Sequence, residues 1–217
     1  DATTFADVRR IIGEYGIHLP VAVQAYLDRA GAADETPKHL PNSQAHVIVT
    51  PHQAFQAACA WAQQQGWSVW YLGDRIAGEA REVAQVMAGM ALHLKQHRPD
   101  DRPVLILSGG ETTVTVRNQA GKGGRNTEFL LALALALRGE AGIYALAADT
   151  DGIDGSEDNA GAWLTPDTLA RAQMLGMDAA AVLQANRAYD FFAAVDQLVL
   201  TGPTRTNIND FRAVLVC

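Results

Sequence analysis

The chain has 217 residues, of which 48% are hydrophobic and 19% are charged, and its formal net charge is −7. These values are typical of a water-soluble globular protein, and the lack of a basic stripe argues against non-specific nucleic-acid binding. No apolar run reaches the about eighteen residues of a membrane span, and we expect no signal peptide. Cys59 and Cys217 form neither a disulfide framework nor a metal-binding spacing, so we expect a cytoplasmic protein.

The first part of the chain predicts two short helices and a loop. The helices cover residues 5–15 and 21–30, and residues 31–43 have the glycine and proline content of a connection. We therefore expect residues 1–45 to be a helical lead-in and linker, followed by an α/β domain over residues 46–217.

From residue 46 onward, strand and helix patterns alternate. The predicted strands cover residues 46–49, 67–72, 102–107, 112–116, 143–148, 197–200 and 211–216. The predicted helices cover residues 53–65, 78–97, 126–137, 166–175, 178–184 and 187–192. This alternation predicts an α/β fold with three layers, α/β/α, around a mixed and largely parallel sheet.

Four polar loops follow apolar strands, and in open α/β sheets ligands bind beyond the carboxyl ends of the strands. The first loop contains Ser108, Gly109, Gly110 and Glu111. Its glycines would let a ligand approach the backbone, and Glu111 could hold a metal or orient a substrate hydroxyl. The alternative is a tight turn between two strands with Glu111 in solvent, and the loop taken alone favours it.

The second loop runs straight into a helix. Gly123 and Gly124 precede Arg125 and Asn126, and the first turn of a helix has free N–H groups that suit a phosphate or carboxylate. Arg125 can clamp an anion through two N–H groups. The sequence is neither a Walker motif nor a dinucleotide fingerprint. A solvated helix start with Glu128 as the capping partner is an equally good interpretation.

The third loop is acidic. Asp149, Asp151 and Asp154 lie within six residues after an apolar strand, and such crowded carboxylates repel one another unless a cation lies between them. A Mg²⁺ ion shared with substrate phosphates would provide that cation. An EF-hand is disfavoured because Ala160 stands at the twelfth position, and an ordinary Asx-turn loop is the alternative.

The fourth loop, residues 201–210, is rich in hydroxyl and amide groups. Thr204, Thr206 and Asn207 could recognise a small polyhydroxy acid or a phosphate. A long polar turn whose side chains bind their own backbone is at least as good an interpretation.

In this order the loops resemble the C-terminal, leucine-rich domain of type II glycerate kinases. The similarity is carried by Ser108-Gly109-Gly110-Glu111-Thr112-Thr113-Val114, Gly123-Gly124-Arg125-Asn126-x-Glu128, Asp149-Thr150-Asp151-Gly152-x-Asp154-Gly155 and Thr201-Gly202-Pro203-Thr204-x-Thr206-Asn207-x-Asn209-Asp210. It extends over residues 103–216, with weaker similarity at residues 72–74 and 78–83. Four motifs in the same order make the resemblance specific, whereas no single one would suffice.

The resemblance implies a two-domain enzyme whose active site lies between this domain and an N-terminal α/β domain that carries a catalytic lysine. Such enzymes transfer the γ-phosphoryl group of ATP to the 2-hydroxyl of D-glycerate with a divalent metal, here Mg²⁺. We expect that N-terminal domain to be missing here and the isolated chain to be inactive. The implied partners are glycerate, the nucleotide and that domain, without nucleic acid or membrane, and a homodimer is left open.

Two alternative functions remain beside the kinase. Some members of the family carry the label hydroxypyruvate reductase, linked to tartrate breakdown, but no nicotinamide-binding fingerprint is present in this sequence. The isolated chain could instead act as a non-catalytic binding module.

The resemblance also implies roles for individual residues. Arg125, Asp149 and Asp151 would be catalytic, and Asp151 and Asp154 would hold Mg²⁺. The implied substrate contacts are Ser108, Gly109, Gly110, Glu111, Gly123, Gly124, Asn126, Glu128, Thr204, Thr206 and Asn207. One departure is Arg205, which replaces the second glycine of the family's Thr-Gly-Pro-Thr-Gly-Thr-Asn pattern. If that position requires a positive φ, Arg205 strains the loop.

Overall fold

The structure is a computed structural model that describes residues 2–98 and 100–217. Asp1, the first residue of the predicted lead-in, and Pro99 lie outside the described residues. The chain divides into two compact units, one up to Val47 and one from Ile48 to Cys217. The domain boundary predicted between residues 45 and 46 falls close to this division and stays a prediction. None of the helices in the described part of the chain is both long and apolar enough to cross a lipid bilayer.

The first unit contains two helices and a single turn of 3-10 helix. The helices are α1 (Phe5–Tyr15) and α2 (Val21–Arg29), and the turn is Ala32–Asp34. The start of α1 is fixed by a capping box. The Thr4 hydroxyl accepts a hydrogen bond from the Asp7 amide at 3.3 Å, and the Asp7 carboxylate accepts one from the Thr4 amide at 2.9 Å.

The second unit consists of a sheet with helices packed against it. Its helices are α3 (Pro51–Gln64), α4 (Ala80–His97), α5 (Arg125–Leu137), α6 (Thr168–Met174), α7 (Ala179–Gln184) and α8 (Ala188–Ala194). Its strands are β1 (Ser68–Tyr71), β2 (Ile76–Glu79), β3 (Val104–Thr113), β4 (Ile143–Asp149), β5 (Gly161–Leu164), β6 (Leu198–Val199) and β7 (Asp210–Val216).

The sheet is mixed, as the sequence predicts. Its order is β1-β3-β7-β4-β5-β6, and β2 pairs with the second half of β3 beyond the end of β1. Five of these seven strands, β1, β2, β3, β4 and β6, run in the same direction, so the prediction of a largely parallel sheet holds for strand direction. The parallel pairings in the described structure are β1 with β3 and β2 with β3, however, because β7 and β5 are inserted in the opposite direction.

Helices cover the two faces of the sheet unequally. The larger core lies under α4 and α5, where Met87, Phe129 and Leu133 pack against inward residues of β3, β4 and β7. On the opposite face, α3 places the Phe55 ring 5.3 Å from that of Tyr71 and 5.1 Å from that of Phe211. The predicted three layers are therefore present, but α3 covers only the β1-β3-β7 part of this face.

Beyond α3 the same face remains exposed. A shallow apolar cavity of about 360 Å³ lies over β4 and β5, with Tyr144 and Trp163 41% and 37% exposed at its surface.

Two sequence predictions about the strands are wrong. Residues 46–49 were expected to form a strand, but they have no regular structure, and Val47 and Ile48 are 78% and 90% exposed. β-branched residues favour a strand only where a partner is available to pair with it, and no strand of the described residues pairs with this segment.

The turn expected at Ser108-Gly109-Gly110 is not formed either. β3 continues through these residues to Thr113. The glycines serve close packing, since a Cβ on Gly110 would lie 2.3 Å from the backbone nitrogen of Ile76 in β2. β2 (Ile76–Glu79) is not predicted from the sequence: its last two residues fall in the predicted helix 78–97, and four residues are too few to show a period.

Candidate active site

A cleft of about 530 Å³ opens where β3 and β4 end and α5 begins. Residues from all four polar loops line it. From the sequence-predicted site, the cleft brings together Glu111, Gly123, Gly124, Arg125, Glu128, Asp149, Asp151 and Asn207. The prediction that the loops converge beyond the carboxyl ends of strands therefore matches the geometry, although the roles of the residues remain predictions.

Arg125 lies at the centre of the polar wall, in the first turn of α5. Its Nη1 donates to Oε1 of Glu111 at 2.5 Å, and its Nη2 donates to Oδ2 of Asp149 at 2.6 Å. The same Nη2 lies 3.3 Å from Oδ1 of Asp210. The guanidinium is thus held by three carboxylates while its side chain remains 28% exposed toward the cleft.

The register of the sheet explains why two of these carboxylates meet. Asp210, the first residue of β7, pairs with Gly110 of β3 on one side and with Asp149 of β4 on the other. Alternate residues of a strand face the same side, and Val214 in β7 and Ala147 in β4 pack on the α5 side. Asp210 and Asp149 therefore both point toward the start of α5.

Asp154 caps α5. Its Oδ1 accepts hydrogen bonds from the Asn126 amide at 2.9 Å, and its Oδ2 accepts from the Thr127 amide at 2.8 Å and from the Thr127 hydroxyl at 3.0 Å. The side chain is 1% exposed. The helix N-terminus that the sequence suggests as a phosphate site therefore already holds an internal carboxylate. Both oxygens of Asp154 are engaged by protein donors, which does not suit the expected role of Asp154 in holding Mg²⁺.

Glu128 is also engaged within the protein. Its carboxylate forms a buried ion pair with Arg81 of α4, and it accepts hydrogen bonds from the Asn186 side-chain amide at 3.3 and 3.4 Å. Glu128 is 2% exposed. Its contacts indicate a structural tie between α4, α5 and the loop after α7, rather than a free acceptor for a substrate.

The first three residues of the Ser108-Gly109-Gly110-Glu111 motif do not line the cleft. The Ser108 hydroxyl is fully buried and lies 3.7 Å from the sulfur of Met87. A Cβ on Gly109 would lie 2.4 Å from the Phe55 ring. Glu111 alone carries this motif into the cleft, so the substrate contacts expected of Ser108, Gly109 and Gly110 have no support in their position.

The second half of the fourth loop lines the cleft, through Asn207 and Asn209. The Thr204 hydroxyl donates to the Thr150 carbonyl at 2.5 Å, and its amide donates to the Asp151 carbonyl at 2.9 Å. Asn207 lines the cleft, whereas Thr204 and Thr206 do not. Thr204 therefore fastens this loop to the acidic loop. Arg205 has a φ of 61°, so its position is left-handed, which is the strain expected if the family's glycine requires a positive φ.

The electrostatics of the cleft are dominated by carboxylates. Glu111, Glu128, Asp149 and Asp151 line it. Because Glu128 pairs with Arg81, the other three carboxylates stand against the positive charge of Arg125. Burial raises the pKa of Asp149, with smaller contributions from Asp151 and Asp210. Burial opposes the charge of Arg125, but Asp210, Glu111 and Asp149 outweigh it and raise the pKa of the guanidinium. An anionic substrate would therefore meet a site that needs further positive charge.

Within residues 2–98 and 100–217 no group of three or more His, Cys, Asp and Glu side chains is arranged to hold a metal ion. Magnesium in phosphoryl-transfer enzymes commonly takes only one or two carboxylates and completes its shell with phosphate oxygens and water. Asp149 and Asp151 lie in the cleft and are of the required chemistry.

Sequence reasoning missed three side chains that shape the site. Asp210 and Arg212 are fully buried, and Asn186 is 7% exposed with a φ of 51°. The alternation of β7 was the available signal for Asp210 and Arg212, because it directs both toward the helices on the α5 side. Nothing in the local sequence points to Asn186.

Comparison with known proteins places the cleft within a defined family. The model of the MOFRL family matches residues 104–210, a range that begins with β3 and ends on Asp210. Residues 104–210 are a MOFRL family domain. All the predicted site residues, from Ser108 to Asn207, lie within it.

The relatives of this MOFRL domain bear two kinds of name. A protein of Agrobacterium vitis named putative hydroxypyruvate reductase is 48% identical, over 100% of this chain and 49% of its own length. The D-glycerate 2-kinase of Thermotoga maritima is 33% identical, over 97% of this chain and 49% of its own length. The chain thus spans about half the length of the curated relatives it matches.

A solved structure resembles the whole chain as well. The crystal structure of glycerate kinase from Thermotoga maritima has a TM-score of 0.79 at 32% identity, and the match covers 100% of this chain and 51% of that one. The chain, including its MOFRL domain, therefore shares the mixed α/β fold of about half of that crystal structure.

Proposed function

We propose that the chain forms the C-terminal half of an ATP-dependent kinase that phosphorylates the 2-hydroxyl of D-glycerate. One observation carries the proposal. The cleft of a MOFRL domain, in a fold shared with a glycerate kinase, presents a partly exposed arginine beside carboxylates at the ends of β3 and β4. Phosphoryl transfer depends on positioning and charge neutralisation, and these side chains suit both.

Each lining residue has a role in this proposal. Arg125 binds the glycerate carboxylate or the transferring phosphate through Nη1, displacing Glu111, which is 60% exposed, while Nη2 stays with Asp149 and Asp210. Asn207 offers an amide to the substrate hydroxyls. Asp149 and Asp151 would hold Mg²⁺, which supplies positive charge against phosphate oxygens when bound.

The test is a coupled assay on the natural full-length protein that carries this sequence. ATP, Mg²⁺ and D-glycerate are supplied, and 2-phosphoglycerate is detected by its conversion in a coupled reaction. Formation of 2-phosphoglycerate supports the proposal. No product, or a product phosphorylated at the 3-hydroxyl, contradicts it.

The same assay tests the role of Arg125. Arg125→Ala is expected to lower turnover by about 10³-fold, the scale of an arginine that stabilises a transferring phosphoryl group. Arg187→Ala is the matched control, because Arg187 is exposed and its guanidinium pairs with Asp190 in the first turn of α8. Near-normal turnover of the Arg125 variant would contradict the role assigned to it.

A reductase is the second candidate, and the name of the Agrobacterium vitis relatives favours it. At the residue level, the glycine loop before α5 lacks the spacing of a dinucleotide fingerprint. The two functions separate in one experiment. Oxidation of NADH or NADPH on addition of hydroxypyruvate, with no phosphoglycerate formed, would replace the kinase proposal with the reductase.

A further inference from the structure

Asp210 connects the two site residues at the start of α5. Its Oδ1 accepts a hydrogen bond from the Asn126 side-chain amide at 2.9 Å and lies 3.3 Å from Nη2 of Arg125. Asp210 is fully buried, and Asn126 is too. A single buried carboxylate oxygen thus contacts both Arg125, which lines the cleft, and Asn126.

The other oxygen of Asp210, Oδ2, is held by contacts within the protein core. It accepts a hydrogen bond from Nη2 of Arg212 at 2.7 Å and from the Thr112 amide at 3.4 Å. Arg212 is itself fully buried, donates to the Gly109 carbonyl at 3.3 Å, and lies 5.6 Å from the centre of the Phe129 ring. A buried charge is stable only when it is paired, and the contact with Arg212 fixes the orientation of the Asp210 carboxylate.

The other two partners of Arg125 are less constrained. Glu111 is 60% exposed, and an exposed ion pair contributes little to the position of a side chain. Asp149 ends β4 and continues into the acidic loop, and its Oδ1 already accepts the Asp151 amide at 3.0 Å. Asp210 is the partner of Arg125 that lies wholly inside the sheet, paired on both sides by β3 and β4.

We propose that Asp210, held by the buried Arg212, is a positioning residue that sets the place of Arg125 in the cleft and of the buried Asn126 beside it. Asp210 does not touch the substrate. The proposal rests on the kinase function proposed above for its kinetic consequences, but not for its structural ones. A fixed carboxylate keeps the guanidinium in its binding position when a ligand draws Glu111 away.

The first experiment separates positioning from stability. Asp210→Asn leaves the Arg212 charge buried without a partner, so its melting temperature is expected to fall. The double variant Asp210→Asn with Arg212→Met removes both charges and is expected to regain most of that loss. Asp190→Asn, in the first turn of α8 where Asp190 pairs with the exposed Arg187, is the control and is expected to leave the melting temperature and turnover unchanged.

Turnover of the double variant decides between the two roles. If Asp210 positions Arg125, turnover of the full-length protein stays about 10²-fold low although stability has returned, since small displacements of a binding group cost that much. If Asp210 only stabilises the fold, turnover returns together with the melting temperature, which would overturn the proposal.

Chemical rescue gives a readout that a purely structural role would not change. Guanidinium ion added to Arg125→Ala is expected to restore part of the activity, because Asp210 and Asp149 hold it where the side chain was. In Arg125→Ala combined with the double variant, the half-maximal guanidinium concentration is expected to rise about tenfold. Equal concentrations in the two backgrounds would contradict the role of Asp210.

A crystal structure of the double variant makes the test independent of the substrate. Displacement of the Arg125 guanidinium or the Asn126 amide supports the proposal even if the wild-type protein does not phosphorylate glycerate, a result that would contradict only the proposed function. Both side chains in their original positions would overturn the role of Asp210.

Discussion

At the residue scale, carboxylate side chains lie close to one another in and beside the cleft. Asp149 is 5% exposed and lies near Asp151 and Asp210, so the folded protein binds a proton at Asp149 more tightly than the unfolded chain does. Such a group stabilises the fold at low pH, and its contribution is lost as the pH rises from the usual aspartate value of about 3.9 through the raised pKa.

Replacement of Asp149 by Asn should therefore separate stability from activity. We expect Asp149→Asn to melt at a higher temperature than the wild type at neutral pH, because the variant keeps the uncharged form. Its melting temperature should also decline less between about pH 4 and pH 7. Turnover should fall by about 10²-fold, since the carboxylate beside Arg125 is lost.

Thermal denaturation across this pH range measures the effect. Asp167→Asn serves as the comparison, because a hydrogen bond from Thr165 lowers the pKa of that exposed carboxyl instead of raising it. A melting temperature of Asp149→Asn below the wild-type value at neutral pH would show that the pairing with Arg125 outweighs the burial of the charge.

Arg205 gives a second prediction at this scale. A left-handed backbone costs a non-glycine residue about 1–2 kcal/mol, and the greater freedom of glycine in the unfolded chain returns about 0.5–1 kcal/mol of that. Arg205→Gly is therefore expected to raise the free energy of unfolding by about 0.5–1 kcal/mol. Urea denaturation measures it.

A neighbouring glycine supplies the reciprocal control. Gly202 has a φ of 64°, and no heavy atom lies within 4 Å of the place that a Cβ would take there. Gly202→Ala should therefore lower the free energy of unfolding through backbone strain alone. Changes of the same sign in both variants would mean that contacts of this loop, and not its backbone angles, determine its stability.

At the scale of elements, α5 shows how much a short sequence can specify. Its thirteen residues follow a glycine loop and are rich in alanine and leucine, and both the helix and its place at the cleft were predicted. The identity of its cap was not, because Asp154 lies 27 residues from Thr127 in the chain. A capping partner so far away leaves no local signal.

The strands differ from the helices in this respect. Residues 46–49 have the pattern of a strand without a partner in the described structure, while β2 and β5 are strands of four residues without a clear pattern. Pairing depends on residues distant in sequence, so a local pattern predicts it poorly. Helices make their hydrogen bonds within the segment itself, which is why α3 to α8 were predicted within a few residues of their ends.

The approach of the acidic loop to α5 predicts the effect of a methyl group at Gly124. A Cβ there would lie 2.3 Å from the Asp154 backbone oxygen, so Gly124→Ala must displace the cap of α5. We expect a loss of about 1–3 kcal/mol in the free energy of unfolding. Gly89→Ala in α4 is the matched control, because no atom lies near its Cβ and alanine favours a helix by about 1 kcal/mol. Equal effects of the two substitutions would contradict the close packing of Gly124.

At the scale of the whole molecule, the chain accounts for one wall of the proposed active site. It spans about half the length of the curated relatives it matches, and its cleft is lined by a few side chains of mixed charge. We expect the isolated 217-residue chain to show no glycerate kinase turnover under conditions in which the full-length protein is active. Turnover by the isolated chain at a similar rate would mean that all catalytic groups lie within it.

The last strand of the chain occupies the middle of the sheet. β7 pairs with β3 on one side and with β4 on the other. Until β7 is in place, the edges of β3 and β4 that face it keep unpaired N–H and C=O groups, although β3 can already pair with β1 and β2, and β4 with β5. Loss of residues 210–217 would therefore leave the sheet in two pieces, β1 and β2 with β3 and β4 with β5 and β6, and expose both to aggregation and proteolysis.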